Sequence, residues 1–183
     1  MADGLFYNDL RAPFSQADGG DITLSSTDKA LYVASAFPVL GGNYWSYVGK
    51  RIKIRMFGKL TTAATPGNGT WDIYWGSGAD ANGTVIVSST AEALTANQTT
   101  LSWELQVSIH CRTIGTSGTL FGCGWAIFNE SVKAVRTMIP AGTAVASATM
   151  DLTTASIVSV QFKRSGSTAE HMWCQDLEVI AMN

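Results

Sequence analysis

The side chains that could do chemistry in this sequence are few, and they do not form a catalytic or metal-binding pattern. The histidines are His110 and His171, and the cysteines are Cys111, Cys123 and Cys174. Zinc sites commonly use closely spaced pairs such as Cys-x-x-Cys, and the sequence contains none. His171 and Cys174 are three residues apart, which places them on opposite faces of a regular strand. We therefore expect no metal site.

Hydrolase chemistry also lacks its usual sequence context. Serine hydrolases of the α/β class carry the nucleophile in a Gly-x-Ser-x-Gly turn, which is absent here. A glycosidase needs two carboxylates that face each other, and no motif brings together a pair such as Asp72 and Glu104. The glycines of residues 115–124 lack the Gly-Lys-Ser/Thr ending of a phosphate-binding loop. We expect no enzymatic activity, no catalytic residues and no cofactor.

The composition limits the classes of partner. Charged residues make up 14% of the 183 residues, and the formal net charge is −2, whereas an average soluble domain is about 25% charged. Proteins that bind nucleic acid are normally basic, so we expect no nucleic-acid partner. So little charge favours a surface that other subunits partly cover, although a neutral surface rich in Thr, Ser and Gly would give the same composition.

Neither a secretory signal nor a membrane span is expected. Residues 1–4 show no basic start, and no apolar core follows them. The longest apolar runs, such as residues 125–128, are far too short to cross a bilayer. We expect no membrane partner, and we expect the three cysteines to be reduced and mostly buried.

Alternation of apolar and polar residues with a period of two dominates the chain after residue 27. Residues 51–56 place three cations on one face, and residues 101–112 form the longest alternating run. Other predicted strands are residues 31–34, 71–75, 85–88, 120–128, 146–152, 157–163 and 171–181, the last with a bulge near Gln175 and Asp176. Residues 92–98 could form one helical turn. Eight or nine strands joined by turns predict an all-β fold, an antiparallel jelly-roll-type β-sandwich.

An extended N-terminal arm is predicted before the sandwich. Residues 1–27 show no sustained period and contain turn sequences such as residues 18–21, so we place the arm at 1–27 and the sandwich domain at 28–183. The apolar residues of the arm are Leu5, Phe6, Tyr7, Leu10 and Phe14. We expect them to anchor the arm on its own domain or on a neighbour, with Phe6, Tyr7 and Phe14 as interface candidates.

Two further groups of residues are candidates for an interface. Tyr44, Trp45 and Tyr47 form an aromatic cluster in a predicted loop, with Trp45 expected to be exposed. Such rings can anchor a protein interface or stack on a sugar, and the low charge favours the interface. Arg51, Lys53 and Arg55 form an outward stripe of cations, which needs partners because like charges two residues apart repel. Glu104 on a neighbouring strand or an acidic neighbouring subunit could supply them.

The sequence resembles the jelly-roll head decoration (cement) proteins of tailed bacteriophages. The resemblance lies in the general sequence character and in the order of the segments across residues 28–183, not in a diagnostic signature. The stretches that carry it are residues 50–58, 65–67, 71–76, 101–105, 112–119 and 175–179. Virion proteins of tails and fibres share this sequence character.

The resemblance implies a structural virion protein without catalytic residues. It implies a homotrimer made in the host cytoplasm and located on the capsid surface, where it would bind the major capsid protein and lock neighbouring capsid subunits together. The alternative is a carbohydrate- or receptor-binding module of a phage tail or fibre, with Tyr44, Trp45 and Tyr47 as the platform for a glycan.

Overall fold

The structure, a computed structural model, describes residues 20–42, 44–129, 134–142, 146–166 and 170–182. The predicted arm residues Phe6, Tyr7 and Phe14 lie outside the described residues. Within them the fold is all-β, with twelve strands and one 3-10 turn at Ala34–Ala36. The strands are β1 (Ile22–Thr23), β2 (Lys29–Ala30), β3 (Val39–Leu40), β4 (Arg51–Thr61), β5 (Asn68–Gly76), β6 (Thr84–Ser88), β7 (Glu92–Ala93), β8 (Leu101–Thr113), β9 (Thr119–Asn129), β10 (Ala134–Ile139), β11 (Ser156–Arg164) and β12 (His171–Met182).

The strands form two antiparallel sheets packed as a sandwich. The larger sheet has the order β1-β12-β4-β8-β9-β10, and the smaller has the order β2-β11-β5-β6. In addition, β3 pairs with β11 and β7 pairs with β5. The first and last long strands, β4 and β12, are neighbours in the larger sheet, while β5 and β11 are neighbours in the smaller one. The predicted all-β fold, an antiparallel sandwich of two sheets, is confirmed.

The core lies between the sheets and is built by the alternation seen in the sequence. Trp71 of the smaller sheet is its centre, with ring centroids 5.1 Å from Trp103, 5.8 Å from Phe128 and 4.8 Å from Phe162. All four side chains are buried. Trp71 and Phe162 belong to the smaller sheet and Trp103 and Phe128 to the larger, so this cluster joins the two sheets. Burying one such ring stabilises the fold by about 1.5–3 kcal/mol relative to exposure.

The predicted bulge in the last strand is confirmed. The register between β12 and β4 shifts between Cys174 and Asp176. Gly58 of β4 lies opposite Cys174, where an added Cβ would come within 1.9 Å of the backbone oxygen of Trp173. A glycine is therefore required where the bulged strand approaches β4 most closely.

Three predictions of local structure were wrong. In each segment the backbone forms hydrogen bonds with residues far away in the sequence instead of forming the predicted strand or helical turn. Residues 31–34 are not a strand, although the Leu31 amide donates to the Val160 carbonyl. In residues 146–152 only Met150 makes a bridge, to Gly118. Residues 92–98 contain β7 and no helical turn, since the Leu94 amide bonds to the connection before β5.

The outer face of the smaller sheet is covered by two connections of its own chain. Residues 20–40 follow the sandwich edge, where β1 pairs with β12 and β2 pairs with β11. Asp80, in the loop between β5 and β6, accepts bonds from the Ala30 amide and the Lys29 ammonium, both at 2.8 Å. Gln161 bonds to the same loop and is fully buried. The outward residues at the centre of β5 and β11 are consequently buried as well, namely Asp72, Tyr74, Ser159 and Gln161.

Candidate interaction surface

The outer face of the larger sheet is the candidate functional site. Alternate residues of β12, β4, β8, β9 and β10 point away from the core there and stay partly or fully exposed. We call this surface the open face. Its cations are Arg51, Lys53, Arg55, Lys59, Arg112 and Arg136, and its aromatic rings are those of Phe57, Phe121, Trp125, Trp173, His110 and His171.

Pairing of the strands aligns these side chains in rows across the sheet. Arg51 on β4 lies opposite His110 on β8, which lies opposite Phe121 on β9. Two residues along the strands, Lys53 lies opposite Ser108, which lies opposite Cys123. Side chains directly opposite each other in antiparallel strands are close enough to interact, so the open face is one continuous surface.

Cations lie over most of the aromatic rings of the open face. The guanidinium carbon of Arg55 lies 4.6 Å from the ring centroid of Phe57, and that of Arg112 lies 4.8 Å from the centroid of Phe121. The Lys59 Nζ lies 4.9 Å from the ring centroid of Trp173, and the guanidinium carbon of Arg136 lies 5.2 Å from the centroid of Trp125. Each contact contributes about 0.5–1 kcal/mol at an exposed site, and together they hold long cationic side chains flat against the sheet.

The open face is basic although the chain is acidic overall. It carries six of the ten lysines and arginines in the described part of the chain, against the three carboxylates of Glu104, Asp176 and Glu178. The whole chain has a formal charge of −2. The positive charge is thus concentrated on one face, and such a surface attracts an acidic partner.

The predicted stripe of cations belongs to this surface. Arg55 pairs with Glu104 at 3.1 Å across neighbouring strands, which confirms the predicted partner. Among the described residues, no carboxylate lies within ion-pair distance of Arg51 or Lys53. Within the described part of the chain, Glu104 therefore neutralises one cation of the stripe and leaves two without a carboxylate partner.

A shallow pocket of about 210 Å³ opens on the same face. Its lining includes Phe57 and Ile127, with Ser102, Glu104 and Asn129 as polar residues. Pockets of this kind, with apolar walls and a polar rim, accept one anchor side chain of a partner in many protein interfaces.

Among the described residues of the open face, His110 and Cys123 form a contact between a potential base and a potential nucleophile. The Cys123 Sγ lies 3.8 Å from the His110 Nε2. Burial lowers the pKa of His110, and the charges of Arg51 and Arg112 lower it further. The imidazole is therefore neutral at neutral pH, and both side chains lie on the outer face of the larger sheet.

The aromatic cluster of residues 44–47 is divided between core and surface. Trp45 is only 2% exposed and packs at 6.4 Å from Trp75, so the expectation that it is exposed was wrong. The Trp45 ring points inward from a turn that is closed by the hydrogen bond from the Tyr44 amide to the Gly41 carbonyl. Tyr47 is 45% exposed. Burial and the neighbouring Tyr47 raise the pKa of Tyr44 to about 12.

Several residues of the open face were not singled out from the sequence. They are Phe57, Lys59, Arg112, Phe121, Trp125, Arg136 and Trp173. For all of them except Arg136, whose strand β10 was not predicted, the signal is the same alternation that predicted the strands, because each occupies a position on the polar face of its strand. A large ring at such a position stays half-buried on the outer face of the sheet instead of entering the core, which is informative in a way that a core ring is not.

The described residues contain no group of three or more His, Cys, Asp or Glu side chains arranged to hold a metal ion. They contain no helix with the length and apolar character needed to cross a bilayer.

Comparisons with known proteins show no family. No family model matches the chain, and no curated protein matches it. Among solved structures, the chain is similar to the crystal structure of the botulinum neurotoxin serotype C1 binding domain, with 10% identity and a TM-score of 0.27. The match covers 92% of this chain and 45% of that chain, so this protein spans less than half the length of its structural neighbour. A similarity this weak supports no conclusion about function.

Proposed function

We propose that this protein is a structural virion protein, a trimeric head decoration (cement) subunit of a tailed bacteriophage. In this role the open face binds an acidic surface of the major capsid protein, on the outside of the capsid. The observation that supports the proposal is the concentration of cations and aromatic rings on the open face. Arginine and aromatic residues are the types enriched in protein interfaces.

The cations and aromatic rings of the open face are suited to a permanent attachment for three physical reasons. A cation held over a ring has already lost side-chain freedom, so less entropy is lost when a carboxylate of the partner contacts it. The rings also offer apolar area that is buried when the two surfaces meet. Because many copies act on one lattice, modest binding by each subunit is multiplied by avidity.

A glycan-binding role is less well supported. The proposed platform needed Trp45 at the surface, and its ring is in the core. Tyr47 alone remains exposed, and Lys50 lies 4.3 Å from the Tyr44 ring and 5.6 Å from the Tyr47 ring. One exposed tyrosine beside a cation is a small platform for a sugar, so the protein partner is the better proposal.

Light scattering at several concentrations tests the trimer. We expect a constant mass three times the 19.5 kDa of the chain, together with sedimentation of the protein when it is mixed with capsids of the bacteriophage that encodes it. A subunit that is monomeric at every concentration and stays in the supernatant would contradict the proposed function.

A further inference from the structure

The outer face of the smaller sheet contains a buried group of polar side chains with no part in the open face. The Lys163 Nζ lies 2.6 Å from Asp72 Oδ2 and 3.4 Å from Asp28 Oδ2. The Tyr74 hydroxyl donates to Asp28 Oδ2 at 2.7 Å, and the Ser88 hydroxyl donates to Asp72 Oδ1. One amine therefore contacts two carboxyl groups that are held in place by their own hydrogen bonds.

Both carboxyl groups are almost completely removed from water. The side chain of Asp72 is 1% exposed and that of Asp28 is 8% exposed. The Asp28 Oδ1 is buried without a hydrogen-bond partner. Burial raises the pKa of Asp28, and the neighbouring Asp72 raises it further against the bond from Tyr74. A carboxyl group in such a place is held as the neutral acid more readily than an exposed one.

We propose that Lys163 and Asp72 form an intramolecular isopeptide bond, with Asp28 as the acid that assists the reaction. The amine and the carboxyl group already touch, and they belong to neighbouring strands whose register fixes their approach. Gln161 lies opposite Asp72, so Lys163 reaches its partner on the diagonal, from two residues further along β11. Positioning of this kind replaces the loss of translational entropy that slows the same condensation in solution.

The reaction balances without any other reactant. The Lys163 ammonium first transfers a proton to the Asp72 carboxylate, which gives a neutral amine and a neutral carboxylic acid. The Nζ lone pair then attacks the Asp72 carboxyl carbon while the Asp28 acid donates a hydrogen bond to the carbonyl oxygen. As the carbon–oxygen bond to the hydroxyl group breaks, the second Nζ proton passes to that hydroxyl group, and the two leave together as one water. Asp28 is a protonated carboxylic acid both before and after the reaction.

The surroundings favour the product over the ion pair. Burial lowers the pKa of Lys163, but the bonds and charges of Asp72 and Asp28 outweigh burial and raise it, so the starting state is a charged pair. Keeping two charges at a buried site carries a desolvation cost, which a neutral amide avoids. A cavity of about 370 Å³ lined by Lys163, Asn68 and Thr70 provides a path for the released water. The Lys163 side chain, which lines this cavity, is itself 36% exposed to solvent.

The mass of the purified full chain tests the proposal directly. Denatured protein should be about 18 Da lighter than its sequence requires, the mass of one water. A protease digest should contain one branched peptide that joins the segments of Asp72 and Lys163. A wild-type chain with the full sequence mass and no branched peptide would overturn the proposal.

Three variants assign the roles of the residues. Lys163→Arg keeps a cation beside both carboxylates but cannot form this amide, so its mass should equal the sequence mass. Asp28→Asn leaves amine and acceptor in place and removes the acid, and it should also show the full mass. Asp80→Asn, which alters a carboxylate outside this group, should keep the deficit. A deficit that persists in Lys163→Arg would contradict the assignment.

Discussion

A variant with Arg112→Gln and Arg136→Gln should bind capsids roughly 100-fold more weakly than the wild type, since each interface cation is worth about a factor of ten. Both arginines are exposed, and each lies over a ring of the open face. The substitutions remove positive charge without placing a polar group in the core. The fraction of protein that sediments with capsids, measured over a range of concentrations, gives the change in affinity.

A control with the same change in net charge separates the open face from the charge of the whole molecule. Thr90→Glu combined with Ala155→Glu also makes the net charge more negative by two, at exposed residues of two connections outside this face. We expect this control to bind within about twofold of the wild type, because surface charges distant from an interface are screened by salt. Equal loss of binding in both variants would show that the open face has no special role.

Glu170→Gln should lower the free energy of unfolding by about 3–5 kcal/mol, the usual cost of leaving one member of a buried ion pair without its partner. Glu170 forms an ion pair with Arg164, and the two side chains are 0% and 7% exposed. They lie at the ends of the connection between β11 and β12, where the Leu24 amide also donates to the Glu170 carbonyl. The pair therefore joins the smaller sheet to the larger one.

Denaturant unfolding of three variants measures this effect. Glu92→Gln, a change at a partly exposed carboxylate, should alter the free energy of unfolding by no more than about 0.5 kcal/mol. Replacing both partners, as Arg164→Met with Glu170→Met, should recover at least half of the loss because no buried charge remains. A Glu170→Gln protein as stable as the wild type would show that the pair has no structural role.

The alternation of residues predicts most of the sandwich, because one face of a long strand must meet the core. In β4 and β8 the inward residues Ile54, Met56 and Leu105 are fully buried and the outward Arg55 and Glu104 pair across the strands, as predicted. The same rule fails for the smaller sheet. The outward residues at the centre of β5 and β11 are buried too, because other parts of the chain cover them, and a period of two contains no information about what lies above a sheet.

The candidate sites depend on contacts between segments that are distant in the sequence. Asp28, Asp72 and Lys163 come together only through the pairing of β5 with β11 and the path of residues 20–40. Their separation in the sequence matches no short motif. Trp45 was misplaced for a related reason: a ring in a polar loop looks exposed until the turn that directs it to Trp75 is known.

Lysine labelling of the protein, free and bound to capsids, tests the docking of the open face most directly. Lys53 and Lys59 lie on the open face, whereas Lys29 lies on the opposite side of the sandwich beside Asp80. Reductive methylation of Lys53 and Lys59 should fall about tenfold on capsids, because the centre of an interface excludes water and reagents, while Lys29 reacts as in the free protein. Unchanged labelling of Lys53 and Lys59 on capsids that protect Lys29 would contradict this account.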